Sequence, residues 1–149
     1  MSLRKRIHAH CLVLLNQKIQ GLEKILSDLH DSATSDTKSS AGDKHETARA
    51  MVQIEQETIR KQLKDVQEQK AQLEKLEAHL NISKISAGSL IKTSRGYLYL
   101  SIALGKILVE KKIIIVISPQ SPIGIKLVGL NVNNSTEING VEYRIEGIE

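Results

Sequence analysis

The chain has 149 residues and a mass of 16.5 kDa, room for one domain or for a small domain with a long helical appendage. Its apolar fraction of 40% suffices for a core, but three Tyr with neither Phe nor Trp leave no stacking platform for single-stranded nucleic acid and no large aromatic to line a ligand pocket. The net charge of +4 is thinly spread, with 13 Lys/Arg against 12 Asp/Glu in residues 1–82 and 8 against 5 in residues 83–149, so neither half has the basic patch of a duplex-binding module and any contact with nucleic acid is expected to need a partner.

No stretch approaches the ~20 apolar residues that cross a bilayer. The single Cys11 has no second cysteine to pair with, and no Cys/His set has zinc spacing. Arg4-Lys5-Arg6 precedes the apolar run Cys11–Leu15, which is too short for a secretory signal and is followed by no small-residue cleavage site. A cytoplasmic chain without membrane contact is expected.

In residues 3–30, Leu3, Ile7, Cys11, Leu14, Leu22, Ile25 and Leu29 recur at three- and four-residue intervals or their multiples, with Lys18 left on the stripe. That is the spacing of one apolar helix face. The segment from Asp31 to Gly42 has no such period and is rich in Ser, Thr and Asp, which compete with helical backbone hydrogen bonds. It reads as the tip of a hairpin, at about residues 31–46.

From residue 44 to 80, Val52, Ile59, Val66, Leu73 and Leu80 fall every seven residues, with Leu63 and Leu76 between them. This is a coiled-coil seam. Two such helices joined by a polar segment are expected to fold back antiparallel, each burying the other's stripe. The second helix, of about 37 residues at 1.5 Å each, would reach roughly 55 Å, so a projecting rod is implied.

Composition changes near residue 82: two Gly and no Pro before it, seven Gly and both prolines after it, along with β-branched runs. Residues 1–82 are therefore read as the helical hairpin and 83–149 as a β domain, entered through Ser83, Ser86 and Gly88. Tyr97–Ile102, Leu108-Val109 and Ile113–Ile117 read as strands, the last buried on both faces. Ser121-Pro122 is an N-cap followed by proline at the first helical position, and Gly129 is the matching stop, giving a short helix with Ile123 and Leu127 inward. Asn139-Gly140 is a two-residue hairpin turn, after which Val141, Tyr143 and Ile145 alternate inward. The expected class is α+β: an antiparallel helical hairpin, then a small, mostly antiparallel sheet with one short helix.

Catalytic patterns are scarce. There is no G-x-S-x-G, Walker loop or H-E-x-x-H, and no nucleophile–base pair is visible. His8 and His10 point to different sides of a helix, which argues against a metal site with Cys11. His30, His45 and His79 are isolated. The Arg4–Arg6 triplet reads as a solvated helix start, with RNA beside a larger machine as the sharper alternative. The remaining candidate is Asp43-Lys44-His45-Glu46. Asp at the N-cap with Glu three residues later is a capping box that satisfies two orphan amides. The same geometry puts two carboxylates on one face of the helix start, where they would share a divalent cation if a partner supplied the other ligands.

Two runs carry a resemblance. Gly42-Asp43-Lys44-His45-Glu46-Thr47-Ala48 resembles the G-D-x-x-E-N-A tip of the Gre transcript-cleavage factors of bacterial RNA polymerase. Ile117-Ser118-Pro119-Gln120-Ser121-Pro122-Ile123-Gly124, with Leu127-Val128-Gly129, is similar to the I-S-x-x-S-P-I-[AG]…L-[IL]-G run of that family's C-terminal domain. The runs stand in the family's order and at about its separation. The resemblance implies an FKBP-like C-terminal β domain that is not itself a prolyl isomerase. It also implies a monomer that binds polymerase at the rim of the secondary channel through Ser121, Pro122, Ile123, Leu127 and Gly129. Asp43 and Glu46 would be the tip acids that help hold a Mg²⁺ shared with the polymerase, so that the polymerase cleaves its own backtracked RNA near the 3′ end. The factor would assist without being an enzyme alone, and would carry no cofactor in isolation. Where the family continues Asn-Ala-Glu-Tyr, this chain has Thr47-Ala48-Arg49-Ala50. Two other readings therefore stand beside this one: a channel-binding regulator without cleavage, and a coiled-coil scaffold protein whose acid pair is only a cap.

Overall fold

A computed structural model of the chain describes residues 2–36, 43–76 and 83–149, with side-chain surroundings for all of these except 33–36 and 43–45. The element order is α1 (Leu3–Asp36), α2 (Asp43–Lys75), β1 (Leu90–Thr93), β2 (Gly96–Leu100), β3 (Gly105–Val109), β4 (Lys112–Ile117), α3 (Pro122–Leu127), β5 (Ser135–Ile138) and β6 (Val141–Ile148). The class is α+β, two long helices followed by a sheet with one short helix. Among the described residues, no helix is long and apolar enough to cross a membrane. Two compact units divide the chain: residues 12–70, and residues 1–11 together with 71–149.

The first unit is a helical pair. Leu15 is buried, and Ile19, Leu22, Leu26 and Leu29 of α1 are half-buried, as are Val52, Ile59, Leu63 and Val66 of α2. The α2 seam is the expected one, and α1 differs from expectation by one residue. Ile19 and Leu26 point inward, whereas Lys18 and Ile25 are exposed. Counting in threes and fours from Leu3 lets the stripe drift. Helices that wrap each other keep the seven-residue repeat, here Leu15, Leu22 and Leu29. Residues 18–25 of α1 and 62–66 of α2 line one groove, and in the other unit the start of α1 meets the end of α2, so the helices run antiparallel. Helix α1 also runs six residues beyond its expected end at residue 30. Asp31–Asp36 contains no Gly or Pro, and extending a nucleated helix costs little. Of the expected tip, residues 31–36 belong to α1 and 43–46 to α2, while residues 37–42 lie outside the described residues, as do 77–82, which hold Leu80 of the expected seam and the expected boundary at 82.

The second unit is built on a six-stranded sheet of order β3-β4-β2-β1-β6-β5. Four pairings are antiparallel and one, β2 with β4, is parallel. The parallel pair places β2 between β1 and β4, so the sheet is mixed. Strand β1, four residues after a Ser/Gly-rich stretch, has no counterpart in the sequence reading. Ile91, Leu98, Leu100 and Ile145 form a core on one face with Ile85, and Leu127 of α3 closes it. The opposite face carries Tyr99, flanked by Leu90 and Val116, and receives His8 from α1. Ile7, Cys11 and Leu73, from the adjoining helix ends, are fully buried.

Two hairpin turns close the sheet's ends. Asn139 (φ 52°) and Gly140 (φ 79°) both adopt the left-handed conformation the sequence predicts. Glu110 (φ 52°) and Lys111 (φ 67°) do the same between β3 and β4 without a glycine. Strand β4 is corrected. Ile114 and Val116 are buried, but Ile113 is 51% exposed and Ile115 40%, so the strand alternates instead of being covered on both faces.

Candidate functional site

The acid pair opens α2. Helix α2 begins at Asp43, and Glu46 follows on its first turn with an exposed side chain. They stand three positions apart on the helix, so their backbone positions share a face. The side chains of Asp43 and His45 lie outside the described ones, and with them the expected cap contact. Thr47, Arg49 and Ala50 are exposed on the next turn. Among the described residues, no three His, Cys, Asp or Glu side chains converge as a metal-holding set. Two carboxylates can offer a Mg²⁺ only part of its octahedral shell, so the pair fits a cation shared with other ligands and not one held alone.

The second candidate gathers on α3. Ser121 caps it: its backbone is extended (φ −65°, ψ 158°), its Oγ accepts from the Gly124 amide at 3.0 Å, and its own hydroxyl donates to the Ser118 carbonyl at 2.6 Å. Pro122 occupies the first turn, where its missing amide costs nothing. Gly124 is obligatory in this packing, because a Cβ there would strike the Ser118 carbonyl and lie 2.9 Å from Pro119 Cα. Past the helix, Gly129 takes φ 89° and donates to the Ile85 carbonyl at 2.8 Å, tying the stop to the core.

These residues divide by depth. Leu127 is fully buried and Ile123 half-buried against the core, so both seat α3. Pro122, Ile125, Val128 and Gly129 are exposed, and the apolar surface is carried by Val128, which lies in the run but was not among the expected binding residues, and by Ile125, which lies outside the run. A further apolar strip lies on the sheet. Leu108 and Ile113 face each other across β3 and β4, and Ile115 neighbours Leu98 of the core under α3, so all three share the face that α3 covers in part. All three are exposed.

The histidine and arginine candidates are resolved as structure. His8 is buried against Tyr99, while His30 is exposed. His79 lies outside the described residues. Of the basic triplet, Arg4 is buried with its Nε donating to the Gly88 carbonyl at 2.7 Å and Nη2 to the Leu76 carbonyl at 2.6 Å. Arg6 pairs with Glu110 at 3.0 Å, leaving Lys5 as the solvated member. The triplet is therefore mostly a clasp within its unit and not an anion patch. Desolvation pushes the Cys11 thiol up to about 12, which keeps it protonated and unreactive.

Compared with models of known protein families and with curated protein sequences, the chain matches none.

Proposed function

We propose that this protein is a transcription elongation factor that binds bacterial RNA polymerase at its secondary channel and stimulates cleavage of backtracked RNA. One observation carries the reading. The G-D-x-x-E run falls at the start of a long helix in an antiparallel pair, and the S-P-I run falls at the cap of a short helix on a small mixed sheet. These are the stations such a factor needs, the first to present acids and the second to grip a partner.

In this reading the β unit is FKBP-like. It binds polymerase through the surface around Ser121, Pro122, Ile123 and Gly129, with Leu127 holding α3 in place from beneath. Ile125, Val128 and the Leu108–Ile113–Ile115 strip add apolar area of the kind that marks protein contacts. Asp43 and Glu46 supply carboxylate oxygens to a Mg²⁺ completed by polymerase ligands and the nascent RNA 3′ end. That cation would stabilise the attacking or the leaving oxygen in phosphodiester hydrolysis. Glu46, exposed on the first turn, is free to orient toward such a site. The amides of the same turn favour negative charge there. The polymerase remains the enzyme.

The test is the double substitution Asp43→Asn with Glu46→Gln. It should abolish cleavage of a stalled transcript while leaving polymerase binding nearly intact. Normal cleavage by the double variant would remove the assigned role from the pair.

One observation favours a second reading with the same partner. Arg49 and Ala50 stand exposed where the resembling family carries a glutamate and a tyrosine. A channel-binding regulator without cleavage activity would compete with cleavage factors for polymerase yet release no shortened RNA.

A further inference from the structure

Helix α1 carries a second row beside its seam. Lys18, Gly21, Ile25 and Asp28 follow at spacings of three, four and three, each one residue before a seam position, and therefore lie along one face. The row borders a groove of about 480 Å³ lined by Lys18, Gly21, Leu22 and Ile25 of α1 and by Asp65 and Val66 of α2. Gly21, without a side chain, leaves its side of the groove open. A Cβ there would meet nothing within 4 Å, so ordinary packing does not require the glycine. One turn on, Ile25 stands 42% exposed. The row thus reads as a positive charge, a hole, an apolar knob and a negative charge.

That order is its own complement when reversed. Two copies of α1 laid antiparallel about a two-fold axis near residue 23 set Gly21 against the partner's Ile25 and Lys18 against the partner's Asp28, and each contact occurs twice. We infer that this face is an isologous docking surface for a second copy of the chain, forming a four-helix arrangement with one hairpin from each copy. Among the described residues, Lys18 and Asp28 take part in no ion pair within the chain, so both charges are available to it. Each Ile25 fills the groove that the other copy's Gly21 leaves open, removing apolar surface from water on both sides. A parallel pairing would instead set Lys18 against Lys18 and leave both holes empty. Four residues from each copy make a small contact beside the roughly 20–30 residues a side of a standard stable interface, so a weak dimer is expected, with a dissociation constant on the order of 100 µM.

Self-association here is independent of the polymerase reading. It uses the middle of the hairpin and neither Asp43, Glu46 nor α3. If both hold, a paired hairpin is too thick for a pore that admits one, and the dimer is a storage form that must dissociate before binding.

Sedimentation velocity of the whole protein, from micromolar to roughly 1 mM, tests the proposal. The wild type should pass from monomer to dimer across that range. Gly21→Leu, whose Cβ would meet nothing within 4 Å, should weaken the dimer at least tenfold with helix content unchanged by circular dichroism. Lys18→Asp should weaken it similarly, by setting two acids against each other twice. Lys18→Asp combined with Asp28→Lys should restore it. A wild type that stays monomeric throughout overturns the proposal. So does a dimer indifferent to Gly21→Leu, or a double reversal that binds no better than Lys18→Asp alone. Cleavage assays have no part in these readouts, so failure here leaves the polymerase reading standing.

Discussion

The Nδ1 of His8, near the start of α1, lies 2.7 Å from the Tyr99 hydroxyl in the middle of β2, and both side chains are buried. The rings meet edge-on, with centroids 6.2 Å apart and an interplanar angle of 75°. This contact between residues 91 positions apart joins helix start and sheet by a directional bond between two buried side chains. Tyr99→Phe keeps the ring and its packing while deleting the hydroxyl. The expected loss is about 1–2 kcal/mol, read as a lower urea midpoint. An unchanged midpoint would show that the bond contributes nothing net.

Arg4 should cost more to remove. Its guanidinium donates to two carbonyls, at Gly88 and Leu76, from a nearly buried position. Arg4→Ala leaves both acceptors short of a donor and is expected to destabilise by about 3 kcal/mol. Arg4→Lys has no planar fork to span the two and should recover about half. Chemical denaturation of the three proteins separates these values. Equal stability of the Lys and Ala variants would contradict the two-acceptor account.

Two glycines should respond in opposite directions to alanine. Gly21 sits in a helix with open space where a Cβ would go, so Gly21→Ala should stabilise by about 1 kcal/mol through helix propensity. Gly124 sits against the backbone of Ser118 and Pro119, so Gly124→Ala must displace main chain and should destabilise by more than about 2 kcal/mol. Thermal melts of both variants check the contrast. The same sign for both would contradict it.

Cys11 sets an alkaline limit. Burial raises its thiol from 9.0 to about 12, so between those values the unfolded chain gives up a proton that the folded chain keeps. The unfolded state then binds fewer protons, and stability falls as pH rises through that window. Below pH 9 the contribution is fully present. Cys11→Ala should flatten the decline in a stability profile from pH 8 to 11. The native thiol should also resist alkylation at pH 8 until denaturant is added.

The sequence made some features legible and hid others for physical reasons. The α2 seam, the Ser121 cap, the Gly129 stop and the Asn139-Gly140 turn are local, and each is written in residues that tolerate few alternatives. The Glu110-Lys111 turn carries no such residue, and its left-handed backbone is imposed by the strands on either side. Strand β1 offers only four residues, and its place beside β2 and β6 is a long-range fact. The exposure of Ile113 and Ile115 depends on how far α3 reaches across the sheet, which no local pattern encodes. Arg4 read as a solvated charge because its acceptors are carbonyls 72 and 84 residues away. Of the candidate sites, the order and types of residue were readable, but the division between buried Leu127 and exposed Ile125 and Val128 needed the packed helix.

The most direct test of the central claim is the fate of RNA in a halted, backtracked bacterial polymerase complex incubated with this protein and Mg²⁺, followed on a sequencing gel. The account predicts that the transcript loses short fragments from its 3′ end and that the shortened RNA resumes elongation when nucleotides are added. A transcript that keeps its full length while the protein is bound to the complex would contradict it.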